Sequence, residues 1–167
     1  MVSVIVFSKN RTLQLHGYLE SLFRYSDISP DCVTVLYSEC KDISYRQVID
    51  AFPEVTWVRE TNFPDNLAAI LAQADQYILF GCDDVVFTSK FSAQKAIETL
   101  DLNKEVFGFS MRLGKNIKPR PSILKKRGGV YQWRWHGCQE THWNYPWELD
   151  CTIYRKPDVT KILDSLS

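Results

Sequence analysis

No apolar run in this sequence approaches the ~20 residues that a helix needs to cross a bilayer. No basic region precedes the apolar opening at residues 2–7, which is also too short for the hydrophobic centre of a signal peptide. It reads as a first strand, and the chain as a soluble, cytoplasmic protein. Neither sign of charge dominates: twenty Lys and Arg balance twenty Asp and Glu. That argues against nucleic acid or an anionic membrane as a general partner, since both favour a basic excess. The five cysteines are odd in number and none are spaced CxxC, so neither a disulfide framework nor a zinc site is indicated. Thiols of this kind suit a reducing compartment. Glycine is missing from residues 8–12, directly after the first strand. A nucleotidyltransferase of related topology would carry a glycine-rich loop there, so this absence counts against that class. Internal repeats and low-complexity tracts are absent.

What is present suffices for one domain. The 167 residues are 45% hydrophobic and 13% aromatic, enough to bury a proper core. After the first strand, polar residues 8–12 lead into a helical pattern through Leu13, Leu15, Leu19, Leu22 and Phe23. Further strands are predicted over 32–37, 55–58, 77–80 and 106–111, with helices over 43–52, 67–74 and 91–100. Pro53 stops the second helix. Strands alternating with helices imply a three-layer α/β/α domain with a mostly parallel central sheet and right-handed crossovers. From Arg112 the character changes. Residues 115–127 are basic and proline-interrupted, which predicts an irregular excursion. Residues 130–135 alternate as a strand should, another strand is expected over 149–154, and a closing helix begins at Pro157.

The stretch 76–87, QYILFGCDDVVF, organises the rest. Tyr77, Ile78, Leu79 and Phe80 form the short apolar run of a strand buried on both faces. Asp83 and Asp84 then sit just past its carboxyl end, the edge of an open α/β sheet where ligands bind. Adjacent carboxylates repel, and a divalent cation is the simplest compensation; their hard oxygens suit manganese or magnesium. The plainer reading of an Asp-Asp pair is a polar turn that caps the next element of the chain.

Three segments resemble the GT-A glycosyltransferases, particularly their family 2-like members. The opening VSVIVFSKNR is similar to the nucleotide-binding first strand and loop. Residues 66–85, NLAAILAQADQYILFGCDDV, resemble the helix, strand and acidic metal motif, and Trp147-Glu148-Leu149-Asp150 is similar to the late acidic segment that holds a catalytic base. The resemblance runs in order along most of the chain. It implies a domain spanning 1–167, with a nucleotide-sugar-binding half at 1–111 and an acceptor-side half at 112–167. The implied activity is metal-dependent transfer of a sugar from a nucleotide-diphosphate-sugar donor to a carbohydrate or glycan acceptor, as in polysaccharide biosynthesis. The usual Asp-x-Asp is Cys82-Asp83-Asp84 here, so a cysteine replaces its first acid.

On this resemblance Asp84, helped by Asp83, holds the metal. Asp150 is the favoured base, with Glu148 close behind; two apart on an extended segment, they would face the same way. One base acting on the acceptor implies inversion. Ser8, Asn10, Arg11, Glu39, Asn66, Asp83 and Arg112 are the expected donor-binding residues, Glu39 standing where many members carry an aspartate that reads the base. Arg112 and Lys115 are better placed for diphosphate than the Lys125-Lys126-Arg127 loop. His136 and His142 could supply a metal or phosphate ligand from the C-terminal half, although isolated histidines are more often structural; the tryptophans 133, 135, 143 and 147 read as packing, with one or two lining an acceptor site. Cys82 and the short chain also leave room for a non-catalytic domain that binds nucleotide or glycan.

Overall fold

The computed structural model describes residues 1–114, 116–121, 124–140 and 142–166. Strand β1 (Val2–Lys9) is followed by helix α1 (Thr12–Tyr25), β2 (Val33–Ser38), α2 (Arg46–Ala51), β3 (Thr56–Arg59), α3 (Phe63–Gln73) and β4 (Tyr77–Cys82). Then come α4 (Ala93–Leu102), β5 (Gly108–Ser110), β6 (Lys125–Arg127), β7 (Val130–Gln132), β8 (Thr152–Arg155) and α5 (Lys156–Asp164). Among the described residues the strands make a six-stranded sheet in the order β3-β2-β1-β4-β8-β5 and a separate β6-β7 hairpin. The first four strands of that order are mutually parallel, while β8 runs antiparallel to both β4 and β5.

Strand alternation sorts the core into two layers. Val2, Val4 and Val6 of β1 and Tyr77 and Leu79 of β4 face one cluster, with Leu15, Leu19 and Leu22 of α1 and Ala96 and Leu100 of α4. Ile5, Ile78 and Phe80 face the other, with Leu67 and Leu71 of α3 and Val159 of α5. Both faces are covered, which is why β1 and β4 read as continuous apolar runs instead of alternating ones. Gly81 is required by packing: a Cβ there would lie 2.1 Å from Tyr18 Oη.

The C-terminal third departs from expectation in three places. The aromatic strand expected over 130–135 stops at Gln132 and pairs with Lys125–Arg127, inside the segment read as irregular. The strand expected over 149–154 begins only at Thr152, because Cys151 adopts a left-handed φ of 58° and turns the chain before it enters the sheet. Its amide donates to Phe80 O at 3.0 Å and its carbonyl accepts from the Met111 amide at 2.9 Å, so the turn is fixed on both sides. Thus β8, drawn from the expected acceptor-side half, is an interior strand of the main sheet.

Candidate active site

The carboxyl ends of β1 and β4 border a crevice of about 620 Å³. Ser8, Lys9, Asn10 and Arg11 line it from the β1 side, Cys82, Asp83 and Asp84 from the β4 side, and Asp150 from the bend before β8, with Leu36, Glu60, Phe7 and Phe63 completing the wall. The parallel register of β1 and β4 brings the two strand ends level: Phe7 pairs with Cys82, and the Asp83 amide donates to Phe7 O at 3.2 Å.

Asp83 and Asp84 are unequal. Asp83 is buried, with 5% of its surface exposed, whereas the Asp84 side chain is 59% exposed. Ser8 Oγ donates to Asp83 Oδ2 at 2.7 Å. A hydroxyl has one proton, so the 2.7 Å contact between Ser8 Oγ and Tyr45 Oη is donated by Tyr45, whose oxygen in turn accepts from the Arg11 amide at 3.3 Å. A relay therefore runs from the root of α1 through Tyr45 and Ser8 to the buried carboxylate. Arg11 Nη1 lies 3.4 Å from Asp83 Oδ1 and 3.1 Å from Asp84 Oδ2, bridging the pair.

Asn10 holds the mouth of the crevice. Its φ of 59° lies in the left-handed region that asparagine tolerates. Its amide donates to Ser38 O at 3.0 Å and its Oδ1 accepts from the Cys40 amide at 2.7 Å, tying the loop after β1 to the end of β2.

Four of the expected donor or catalytic residues lie outside that lining. Glu39 accepts from the Tyr45 amide at 3.2 Å and faces Arg59 Nη2 at 3.4 Å, supporting the turn that carries Tyr45. Asn66 Oδ1 accepts from the amides of Thr61 at 2.8 Å and Asn62 at 3.2 Å, organising the start of α3. Glu148 and Arg112 are paired with each other: Arg112 Nε donates to Glu148 Oε2 at 2.9 Å, while Ser110 Oγ at 2.8 Å and Thr152 Oγ1 donate to Oε1. The extended segment that would have aligned Glu148 with Asp150 is a bend. Glu148 lines a separate cleft and Asp150 lines the crevice. Lys115 lies outside the described residues.

That separate cleft, of about 1110 Å³, is bordered by β5, the β6-β7 hairpin, Trp133, Trp135 and Tyr145. Trp143 is buried and donates to Pro119 O at 2.9 Å, and Trp147 stacks on Tyr154 at 4.9 Å, so these two tryptophans pack the fold. His136 packs edge-on to Trp135 at 5.7 Å.

Burial, and then the neighbouring Asp150 carboxylate, push the Cys82 thiol up to about 12. It is a neutral S–H and contributes no third negative charge. Even so, the lining carries four carboxylates (Glu60, Asp83, Asp84 and Asp150) against two cations (Lys9 and Arg11). Among the described residues no group of three or more His, Cys, Asp or Glu is arranged to enclose a metal ion.

Tyr45 is the residue that sequence reading missed. It lay inside a predicted helix, and its hydroxyl reaches Ser8 only because β1 and β2 are neighbours. Its signal was faint: a tyrosine ahead of a helix whose other apolar positions need no hydroxyl.

The mostly parallel α/β sheet with an acidic strand end at such a crevice is consistent with the GT-A glycosyltransferase fold. A relative by sequence carries that activity in its name. The chain is 29% identical over 194 residues to the bifunctional glycosyltransferase pgtA of Dictyostelium discoideum, covering 99% of this chain and 25% of that protein. It therefore spans about a quarter of the length of the curated relative it matches. It is similar in structure to S. aureus TarS, with a TM-score of 0.62 at 17% identity, covering 96% of this chain and 29% of TarS. It is also similar to TarS 1-349 in complex with UDP, with a TM-score of 0.60 at 18% identity, covering 98% of this chain and 48% of that one. At those identities the TarS structures speak to the fold. No family model matches the chain.

Proposed function

We propose that this chain is a glycosyltransferase domain that moves a sugar from a nucleoside-diphosphate-sugar to an acceptor hydroxyl, with inversion and with the help of a divalent metal ion. The observation that carries the reading is the meeting of Asp84 and Asp150, far apart in sequence, in one crevice at the strand ends of a GT-A fold.

The residues fit a metal of the magnesium or manganese kind. Such ions are held by one or two carboxylates together with substrate phosphates and water, without an all-protein cage. Asp84, exposed and aimed at the crevice, is the ligand; Asp83, buried under Ser8 and Arg11, positions its neighbours. A diphosphate entering a lining with two surplus negative charges is repelled, and a divalent ion offsets that surplus. When bound, the ion stabilises the charge that develops on the departing diphosphate.

Asp150 serves as the general base. It takes the proton of the acceptor hydroxyl as that oxygen attacks the anomeric carbon, the bond to the diphosphate breaks, and single displacement inverts the configuration. The neutral Cys82 thiol hydrogen-bonds to that carboxylate and places no second negative charge beside it. The separate, larger cleft, with Trp133, Trp135 and Tyr145 on its walls, offers apolar ring faces to sugar units of a glycan acceptor other than the one that reacts.

The test is hydrolysis and transfer measured over a panel of nucleotide-sugars, beginning with UDP-linked ones, with and without manganese. The expected result is metal-dependent turnover that Asp84→Asn abolishes while the fold is kept. Nucleotide binding without turnover across the panel would instead establish a non-catalytic binding domain, the reading that Cys82 favours.

A further inference from the structure

The acidic pair already has a cation. Arg11 Nη1 is within 3.4 Å of Asp83 Oδ1 and 3.1 Å of Asp84 Oδ2, so one guanidinium offsets the repulsion between adjacent carboxylates. The root and the head of this residue differ in freedom. The backbone is anchored, its amide donating to Tyr45 Oη at 3.3 Å, yet the side chain is 51% exposed. Arg11 is also the N-cap residue of α1, whose first turn has no side-chain cap and no acidic residue, so the positive end of the helix lies at its base.

Two cations cannot share the same face of Asp84. A divalent ion held by the oxygens that Nη1 now contacts would be repelled by the guanidinium, whereas a diphosphate beside the pair offers the planar fork a bidentate partner. We infer that Arg11 is a resident counter-ion of the acidic pair: it keeps a divalent metal off Asp84 until the donor arrives, then moves from the carboxylates to the diphosphate. Metal and nucleotide consequently bind as a coupled pair, each raising the other's affinity as linkage requires. This rests on the assignment of Asp84 as metal ligand.

Manganese binding followed by the electron paramagnetic resonance of the free ion tests it without any turnover. The wild-type chain is titrated alone and with saturating uridine diphosphate, beside Arg11→Met, Arg11→Lys and Asp84→Asn, each checked for folding by thermal unfolding. Expected are weak manganese uptake by the wild type alone and at least ~10-fold tighter uptake with the nucleotide. Arg11→Met should bind manganese alone roughly 10-fold tighter and lose most of that enhancement, with nucleotide affinity down ~10- to 100-fold for want of the charge-assisted contact. Arg11→Lys, which keeps the charge without the fork, should fall between, and it carries the test if the methionine variant does not fold. Unchanged or weaker manganese uptake by Arg11→Met alone, with Asp84→Asn still losing the metal, overturns the role of Arg11 and leaves the glycosyltransferase reading standing. Manganese uptake unaffected by Asp84→Asn removes the metal assignment and this inference with it.

Discussion

Ser8→Ala is the sharpest probe of the crevice, because Ser8 Oγ sits between two groups that each need it. Removing it takes a 2.7 Å donor from the buried Asp83 carboxylate and the acceptor of the Tyr45 hydroxyl. A hydrogen bond to a charged group contributes about 1.5–3 kcal/mol, and a buried hydroxyl left without an acceptor adds about 1 kcal/mol. The variant should therefore lose about 3 kcal/mol, or roughly 6–12 °C of Tm in a chain of this size. Urea unfolding with an unchanged m-value measures the loss. Adding Tyr45→Phe separates the relay from a generic packing defect. On the alanine background it deletes a hydroxyl that has already lost its acceptor, so the double variant should be more stable than the sum of the singles predicts, by about 1 kcal/mol. A Ser8→Ala variant within about 0.5 kcal/mol of wild type, or strictly additive losses, would refute the relay.

Asp150→Asn should eliminate transfer and spare donor binding; retained transfer would move the base to Glu148, whose oxygens must first release Ser110, Arg112 and Thr152. Gly81→Ala should destabilise by about 3 kcal/mol in urea, because the new methyl meets Tyr18 Oη at 2.1 Å and Cζ at 2.6 Å inside a close-packed layer. Tyr18→Phe should recover part of that loss, its hydroxyl having no hydrogen-bond partner among the described residues. At Asp27, burial raises the carboxyl, but the Ser92 hydroxyl at 2.5 Å and the amides of Ala93 at 2.7 Å and Gln94 at 3.4 Å outweigh it and hold the carboxyl below its ordinary range. A depressed carboxyl stabilises above its unfolded pKa and loses that contribution as pH falls through the folded value. Asp27→Ala should thus lower stability by about 1 kcal/mol near pH 6, and the difference from wild type should begin to shrink only as pH falls below the ordinary aspartate value of about 3.9, disappearing below the lower folded value; a pH-independent difference would refute the assignment.

The parallel part of the fold was legible in local pattern. Apolar runs at β1 and β4 announce strands buried on both faces, polar loops mark the helix starts, and an acidic pair directly after β4 marks a strand end at a ligand-binding edge. The C-terminal third was less legible, because its decisive feature is a single left-handed residue. Cys151 at φ 58° delays β8 by three residues relative to the predicted strand and so separates Glu148 from Asp150, which alternation alone would have put on one face. Glu39 and Asn66 stand in plausible positions along the chain, but their oxygens are taken by backbone amides of their own turns. Periodicity and composition were thus enough for the class of fold and for the residue types its chemistry needs, since both depend on contacts between near neighbours. Which carboxylate is buried and which exposed, that Arg11 bridges them, and that Tyr45 reaches Ser8 depend on strands that meet only after the chain has folded, and those contacts were decided by the tertiary structure.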